Sequence, residues 1–388
     1  MRLKLSKLFF LIASIIVFLE TQAIAQATLS HETVIRPEAS GLTNSEGSTI
    51  VRDAFQKPTG LAFSNDGKKV FSSNQEVDGT HECISMMTLS TPYDLRTASL
   101  VVDEAGPLES KVGLTDDTAN TRCTDIKFSK DGLKMFIGNV TGKIHGFDLA
   151  TPFDLSGLTY SDNVTGDLGG PATFSFSNDG KKLIYLDGTE EGQHIDEYSL
   201  STAYDLTDIT LVNTVTLTTT ANLDDEDVGR AVEFSQDGMT MFVLIMDDSA
   251  QNTANKDAIF QFSLTTSFTT STATLAGSMT PSGIFNTAAY GMAFSPTGNK
   301  LYIVNRVGSL DSNYYVGGGS VDVVTQIGLS CDYGLVACVS DSKSSLGTQV
   351  QLAKNNISIN TSIIFKRFEW IKRNRNSNNL NNLTASIK

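Results

Sequence analysis

The chain has 388 residues, with 43 acidic and 29 basic side chains and a formal net charge of −14. Most of the negative charge lies between residues 26 and 342, where 18 Lys and Arg stand against 41 Asp and Glu (18 − 41 = −23). Such an acidic body repels phosphate groups, which argues against a nucleic-acid partner or an anionic lipid surface. It suits a secreted protein with a solvated surface.

The first 25 residues are typical of a secretory signal peptide. A basic start precedes an apolar core 12 residues long, and a small-residue cleavage site follows: Arg2, Lys4 and Lys7, then Leu8–Leu19, then Ala23-Ile-Ala25. The alternative is a transmembrane anchor, which needs about 18 apolar residues and is therefore disfavoured. We expect a cleaved signal over residues 1–25, a mature chain that starts near Gln26, and export to the periplasm, the cell surface or the extracellular medium.

After an N-terminal segment at residues 26–54, one short phrase occurs five times. It reads Phe-Ser-x-Asp-Gly in four copies and Phe-Ser-Pro-Thr-Gly in the last, and the copies begin at Phe63, Phe128, Phe176, Phe234 and Phe294. Apolar stretches lie on both sides of each copy. Gly accepts the positive φ angle of a tight turn, and the Asp side chain can bond the backbone of that turn. Each copy therefore predicts a β-hairpin.

A second phrase follows each hairpin and reads Leu-Ser-Thr-Pro-Tyr-Asp-Leu at residues 89–95. Variants occur at residues 149–155 and 200–206, the phrase decays at residues 264–270, and it is only hinted at by residues 327–331. Stretches that alternate apolar and polar residues lie before it, and further strand-like stretches follow most copies. One repeat unit therefore contains four strands.

The spacing of the repeats predicts the architecture. Successive Phe-Ser pairs are 65, 48, 58 and 60 residues apart, which fits a propeller blade of about 40–50 residues with loop insertions. We expect an all-β protein, a β-propeller of four-stranded blades over residues 55–342, with five visible repeats and six possible. A strand around Thr33 could close the ring by pairing into the last blade, and a degenerate sixth blade is the alternative.

The phrase Phe-Ser-x-Asp-Gly-Lys-Lys followed by an apolar strand resembles the repeat of WD-repeat-like, TolB-like and lactonase-like β-propellers. The resemblance covers residues 55–330, although the Trp-Asp dipeptide of true WD repeats is absent and the single Trp is Trp370. The resemblance implies the fold and leaves the function open, because this superfamily contains enzymes, receptors and scaffolds.

The four cysteines form two candidate disulfide pairs. Cys331 and Cys338 could bridge a loop after the last blade, and Cys83 and Cys123 could join neighbouring repeat units. An oxidising compartment makes both pairs plausible, and four buried free thiols are the alternative.

Acidic side chains precede the inner strand of several repeats, and the loops that link blades of a propeller meet at one end of its central channel. The candidate metal ligands are Asp116, Asp117, Asp167, Asp224, Asp225, Glu226 and Asp227. Ca²⁺ is the natural ion for carboxylate ligands outside the cell, so Ca²⁺ is the one possible cofactor. Solvated acidic loops are the alternative.

Two polar insertions are candidate binding loops, because long loops on a rigid frame often carry binding residues. One insertion contains Asp247 and Asp248 in the fourth unit, and the other contains Tyr314 and Tyr315 in the fifth. Flexible loops without a ligand are the alternative.

Residues 343–388 form a basic tail with eight Lys or Arg against Glu369 alone (8 − 1 = +7). The spacing of apolar residues predicts one amphipathic helix over residues 361–375, followed by a disordered Asn-rich segment. Residues 365–375 resemble the linker of autotransporter-type surface proteins from marine alphaproteobacteria, which implies association with the outer membrane through the tail. An ordinary basic tail is the alternative.

Three functions are compatible with the sequence. The first is an exported, non-catalytic propeller that binds a protein, a glycan or another envelope component through its loop face. The second is a calcium-dependent hydrolase or lactonase, and the third is a structural passenger module. Nucleophilic hydrolysis has no support, because the sequence contains no Gly-x-Ser-x-Gly elbow.

Overall fold

The computed structural model describes residues 29–35, 58–74, 84–100, 123–163, 168–171, 173–187, 194–217, 227–247, 257–280, 288–307 and 321–336. These residues form five antiparallel four-stranded sheets, named here blades I to V in chain order. Helical structure in these ranges is limited to single turns such as the 3-10 turns Leu95–Thr97, Leu155–Gly157 and Thr270–Thr272.

Each blade takes its strands from one continuous stretch of chain, except that β1 (Leu29–Ile35) joins the last blade. Blade I contains β2 (Pro58–Phe63), β3 (Lys69–Asn74), β4 (Ile84–Leu89) and β5 (Ala98–Leu100). Blade II contains β6 (Cys123–Phe128), β7 (Lys134–Asn139), β8 (Ile144–Asp148) and β9 (Thr159–Asn163). Blade III contains β10 (Thr173–Phe176), β11 (Lys182–Asp187), β12 (His194–Leu200) and β13 (Ile209–Thr216). Blade IV contains β14 (Asp227–Phe234), β15 (Thr240–Asp247), β16 (Ala258–Leu264) and β17 (Ala273–Met279), and blade V contains β18 (Ala288–Phe294), β19 (Lys300–Val307), β20 (Val321–Leu329) and β1.

The five blades form a closed ring. The first strand of each blade contacts the first strand of the next, in the order β2, β6, β10, β14, β18 and back to β2. The predicted β-propeller is therefore confirmed, and it has five blades. β1 runs antiparallel to β20, with Leu29 opposite Leu329 and Ile35 opposite Val324, so it forms the outer strand of blade V rather than a sixth blade.

Apolar side chains fill each of the five junctions between neighbouring blades. Every junction has its own buried cluster that draws on both blades, and burying this surface holds the ring together. Representative pairs are Phe71 and Ile126 for blades I and II, Phe136 and Phe174 for II and III, Leu186 and Val232 for III and IV, Phe242 and Met292 for IV and V, and Tyr302 and Leu61 for V and I.

The Ser-x-Asp-Gly turns form the hydrogen bonds that their sequence predicts. In blade III, the Ser177 hydroxyl donates to Asp179 Oδ1 at 2.6 Å and accepts from the Lys182 backbone N–H at 2.9 Å. The Lys181 backbone N–H donates to the same Asp179 oxygen at 3.0 Å. The bond from Ser177, followed by that from Lys181, holds the pKa of Asp179 below its ordinary value. The turns at Asp66, Asp131 and Asp237 repeat the bond from serine to aspartate.

An aromatic residue from the second phrase locks each hairpin. The Tyr204 backbone N–H donates to the Gly180 carbonyl at 2.9 Å, and a Cβ placed on Gly180 would lie 2.3 Å from the Tyr204 ring. Gly180 has a φ angle of +67°, so both its backbone and its surroundings require glycine. The equivalent aromatic residues also have positive φ angles: Tyr93 (57°), Phe153 (55°), Phe268 (50°) and Tyr333 (54°).

The fifth aromatic lock is clearer in the structure than in the sequence. The sequence only hinted at a fifth copy of the second phrase within residues 327–331, whereas Tyr333 completes it by donating its backbone N–H to the Gly298 carbonyl at 2.8 Å. Cys331 and Asp332 replace the Thr-Pro pair of the clearest copies, which obscured the repeat.

Several predictions concern residues outside the described ranges. These include the signal peptide, the tail helix and the tail segment that resembles an autotransporter linker. In the ranges that the structure describes, no helix is long and apolar enough to cross a membrane. Neither Cys123 nor Cys331 is a free thiol. Because Cys83 and Cys338 lie outside the described residues, the predicted pairing stays a prediction.

Candidate functional site in the axial channel

The residue before the repeated Phe lines the same cavity in every blade. The repeated Phe and the residue two positions before it pack in one junction, so the residue between them lies on the opposite face of its strand. In blades I and V that residue is Ala62 or Ala293, which also packs against the apolar cluster of a junction. These five residues line a common cavity, and we call them the axial ring: Ala62, Lys127, Ser175, Glu233 and Ala293.

The cavity above the axial ring has a volume of about 320 Å³ and opens at the hairpin end of the channel. Its wall contains aromatic rings such as Phe63, Phe128 and Phe176. Its rim contains the variable residue of each hairpin turn: Asn65, Lys130, Asn178, Gln236 and Pro296. The volume lies at the lower end of the range for small-molecule pockets, which is about 300–1,000 Å³.

Hydrogen bonds between neighbouring turns fix parts of the rim. The Asn65 side-chain amide donates to the Lys130 carbonyl at 2.7 Å, and the Asn178 amide donates to the Gln236 carbonyl at 2.6 Å. These two bonds join blades I to II and III to IV. The cavity mouth is therefore held by turns that are tied to one another as well as to their own strands.

An ion cluster crosses the floor of the cavity. Lys127 Nζ lies 2.8 Å from Glu233 Oε1 and 3.0 Å from Asp125 Oδ1. Asp125 also accepts backbone N–H bonds from Phe174 at 3.0 Å and from Ile126 at 2.8 Å. The side chains of Lys127, Glu233 and Asp125 are 12%, 16% and 4% exposed, so the cluster connects blades II, III and IV in a largely dry environment.

Burial changes the acid–base properties of this cluster. Burial raises the pKa of Glu233 to about 7, while Lys127 acts in the opposite direction. Burial disfavours the ammonium of Lys127, but the charges of Asp125 and Glu233 outweigh it and raise the pKa of Lys127 above its usual range. A carboxyl group with a pKa near 7 beside a cation is a feature of many functional sites, and it also occurs in structural ion pairs.

Two hydrogen-bonding positions on the floor have no protein partner among the described residues. Ser175 is 7% exposed and lines the cavity, and its hydroxyl makes no hydrogen bond to any described group. Lys127 has three N–H donors and bonds two acceptors, which leaves one donor on its ammonium. Buried polar groups are normally bonded, so the floor can accept hydrogen-bonding atoms of a ligand or of water.

The other end of the inner strands has a different geometry. Blades I, II, IV and V each shift register by one residue near the start of the inner strand, at Thr59, Thr124, Arg230 and Tyr290. Such bulges redirect side chains, and they occur often beside active sites. The Arg230 guanidinium carbon lies 4.8 Å from the centre of the Tyr290 ring, so these positions of blades IV and V meet.

Most of the side chains predicted from the sequence to form the site lie outside the described residues. Asp227 and Asp247 are described as backbone only, and they lie opposite each other at the ends of β14 and β15. The remaining candidate metal ligands, together with Asp248, Tyr314 and Tyr315, are not described, so the calcium site and the binding loops stay predictions. Within the described residues, no group of three His, Cys, Asp or Glu could hold a metal ion.

Sequence reasoning missed the axial ring. The signal for it was the position before the repeated Phe, which changes from Ala to Lys, Ser, Glu and Ala while the Phe and Ser beside it stay constant. A position that varies between invariant structural residues is a candidate for function. The acidic residues that precede several inner strands were the more obvious candidates in the sequence, so the predicted site was placed there instead.

Comparison with known proteins adds little beyond the fold. No family model and no curated protein matches the chain. Among solved structures, the periplasmic gluconolactonase PpgL of Pseudomonas aeruginosa is 18% identical over 69% of this chain and 70% of its own, with a TM-score of 0.38. The Cps50 (Swd1) β-propeller domain of Myceliophteria thermophila is 13% identical over 69% and 82%, with a TM-score of 0.37.

A third similar structure, the exo-β-1,3-galactanase of Phanerochaete chrysosporium with galactose, is 13% identical over 75% of this chain and 64% of its own, with a TM-score of 0.46. These identities and scores are too low to transfer an activity or a ligand. The chain is a five-bladed β-propeller with charged residues at the floor of its axial cavity.

Proposed function

We propose that this protein is an exported β-propeller that binds a small, hydroxyl-rich ligand, such as one sugar unit of a glycan, in its axial cavity. The observation that carries the proposal is the floor of the cavity, where the Ser175 hydroxyl and one N–H of Lys127 have no hydrogen-bond partner among the described residues. All five blades contribute to this one cavity, so the closed ring presents a pre-formed site.

The lining matches the chemistry of a sugar. Hydroxyl groups both donate and accept, and the cavity offers amides, a hydroxyl, an ammonium and a carboxyl group to meet them. The apolar face of a sugar ring can pack against the aromatic wall formed by residues such as Phe63 and Phe176. The volume suits a single ring better than an extended chain, so a glycan would enter by its end.

A panel of neutral monosaccharides, titrated calorimetrically into the protein, tests this proposal. Ala62→Phe places a ring in the cavity, while Ala150→Phe makes the same change at an exposed position outside it. We expect the native protein and Ala150→Phe to bind the same sugar, and Ala62→Phe to lose binding. If no sugar binds more tightly than about 10 mM, or if Ala62→Phe binds as well as the native protein, the proposal is wrong.

A second candidate function is hydrolysis of a lactone, and one observation favours it. Glu233 has its pKa raised to about 7 by burial and lines the cavity beside Lys127. As a carboxylate, it could take a proton from water as that water adds to the lactone carbonyl. The Lys127 ammonium could stabilise the developing oxyanion. Acid release from glucono-δ-lactone in a pH-stat, lost in Glu233→Gln, would support this function, and a rate equal to the uncatalysed rate would remove it.

A further inference from the structure

We propose that the axial cavity selects neutral ligands over anionic ones. A hydroxyl or carbonyl oxygen of the ligand accepts from Lys127 and bonds Ser175, while Glu233 and Asp125 exclude a ligand carboxylate or phosphate. This inference rests on the proposed function, because it names the class of ligand that the same cavity takes.

The donor count on the floor defines what the ligand must supply. Lys127 Nζ already donates to Asp125 Oδ1 and Glu233 Oε1, so its remaining N–H needs one acceptor. Ser175 can both donate and accept. A ligand hydroxyl or carbonyl oxygen can accept from either position, whereas a ligand ammonium would face Lys127 and be repelled.

The charge balance of the floor defines what the ligand must not carry. One ammonium stands against two carboxylates, so the fully ionised cluster has a net charge of −1. Asp125 does not line the cavity itself but lies 3.0 Å from Lys127 Nζ. The remaining charged residue of the lining, Lys130, is exposed at the rim, where water and salt screen its charge. A ligand carboxylate on the floor would meet the Lys127 ammonium, whose charge Asp125 and Glu233 already balance. The carboxylate would also lose its hydrating water there, at a cost in binding free energy.

Glu233 is the residue whose removal should abolish this selection. Replacing it with Gln keeps the shape and a hydrogen-bonding oxygen, and it leaves Lys127 balanced by Asp125 alone. The floor then has no net charge. Lys127 has one carboxylate partner instead of two, so a carboxylate of the ligand can take the second place. Asp148→Asn is the matched control, because it removes one negative charge from an exposed surface pair with Lys134 outside the cavity.

Glucose, glucuronamide and glucuronate test the inference, because they differ only at one carbon and the amide is neutral and close in shape to the acid. At pH 8, where Glu233 is mostly ionised, we expect the native protein and Asp148→Asn to bind glucose and glucuronamide at least about tenfold more tightly than glucuronate. In Glu233→Gln, the amide and the acid should differ by less than about threefold. Ser175→Ala should weaken binding of the neutral sugars while its thermal unfolding stays close to that of the native protein.

The outcomes separate this inference from the proposed function. Equal affinity of the native protein for glucuronamide and glucuronate would overturn the selection for neutral ligands and leave the sugar site standing. Discrimination that survives unchanged in Glu233→Gln would also overturn the inference, because the selection would then come from another residue. If these three compounds and every other neutral monosaccharide of the panel fail to bind, both the inference and the proposed function are wrong.

Discussion

Replacing Lys127 with Met tests whether the floor of the cavity is an ion cluster that needs its cation. The variant keeps most of the side-chain volume but leaves Asp125 and Glu233 facing each other, at 4% and 16% exposure, without a positive charge between them. Breaking a buried pair by removing one partner typically costs about 3–5 kcal/mol. We therefore expect the free energy of unfolding to fall by about 3 kcal/mol or more at pH 8.

The loss of unfolding free energy in Lys127→Met should depend on pH, because Glu233 can bind a proton and so lose the negative charge that has no partner. Protonating a carboxyl group of ordinary pKa 4.5 costs about 1.4 kcal/mol per pH unit above that value, hence about 0.7 kcal/mol at pH 5 and about 5 kcal/mol at pH 8. Native Glu233, with its pKa of about 7, also binds a proton between pH 8 and pH 5, so the native protein gains part of the same stabilisation. The destabilisation by Lys127→Met should therefore be smaller at pH 5 than at pH 8 by up to about 1.4 kcal/mol.

Urea unfolding followed by circular dichroism at both pH values gives these free energies. The double variant Lys127→Met/Glu233→Gln removes the unpaired carboxylate and leaves Asp125 with its two backbone N–H bonds. We expect it to recover at least half of the loss at pH 8. A loss below about 1 kcal/mol at pH 8, or a double variant less stable than Lys127→Met, would refute the reasoning.

Three further predictions concern the titration of the floor, the locked hairpins and the closed ring. Because the folded pKa of Glu233 is raised to about 7 from 4.5, the native state binds the proton more tightly, so this residue should make stability fall as pH rises from about 4.5 to 7. Glu233→Gln should remove that slope from urea midpoints measured across this range, and parallel curves for the two proteins would contradict it. Gly180→Ala should lower the free energy of unfolding in urea by about 2–3 kcal/mol, because the alanine would need a left-handed backbone and its Cβ would lie 2.3 Å from the Tyr204 ring. A loss below about 1 kcal/mol would show that the ring moves aside freely. Deleting residues 26–35 should lower the melting temperature by more than about 5 °C, because β20 loses its partner strand; a melting temperature unchanged by the deletion would mean that β1 does not close the ring.

The sequence predicted the fold well because local chemistry specifies each hairpin. Asp179 and Gly180 fix the backbone of one turn, and the same residue types recur at a spacing that only a ring or a linear array of sheets explains. The aromatic lock was harder to see, because Tyr333 follows Cys331 and Asp332 instead of Thr-Pro. Positive φ angles at aromatic residues have no sequence signal of their own.

The axial ring was beyond sequence reasoning for a different reason. Alternation along a strand tells which residues share a face, but Lys127 and Glu233 are 106 residues apart and meet only because blades II and IV belong to one ring. The same holds for Asp125, which bonds the backbone of the next blade at Phe174. The sequence shows a Lys and a Glu before two of the repeated Phe residues, and the closed circle of strands places them together.

The central claim is that a sugar binds on the axis, at the hairpin end of the propeller. A crystal structure of the protein soaked with the sugar that binds best in the calorimetric panel tests it most directly. The account predicts density for one sugar ring in the axial cavity, with an oxygen within hydrogen-bonding distance of Lys127 Nζ and of Ser175 Oγ. A sugar found only at the opposite end of the inner strands, or a cavity that stays filled by water under conditions where calorimetry shows binding, would contradict it.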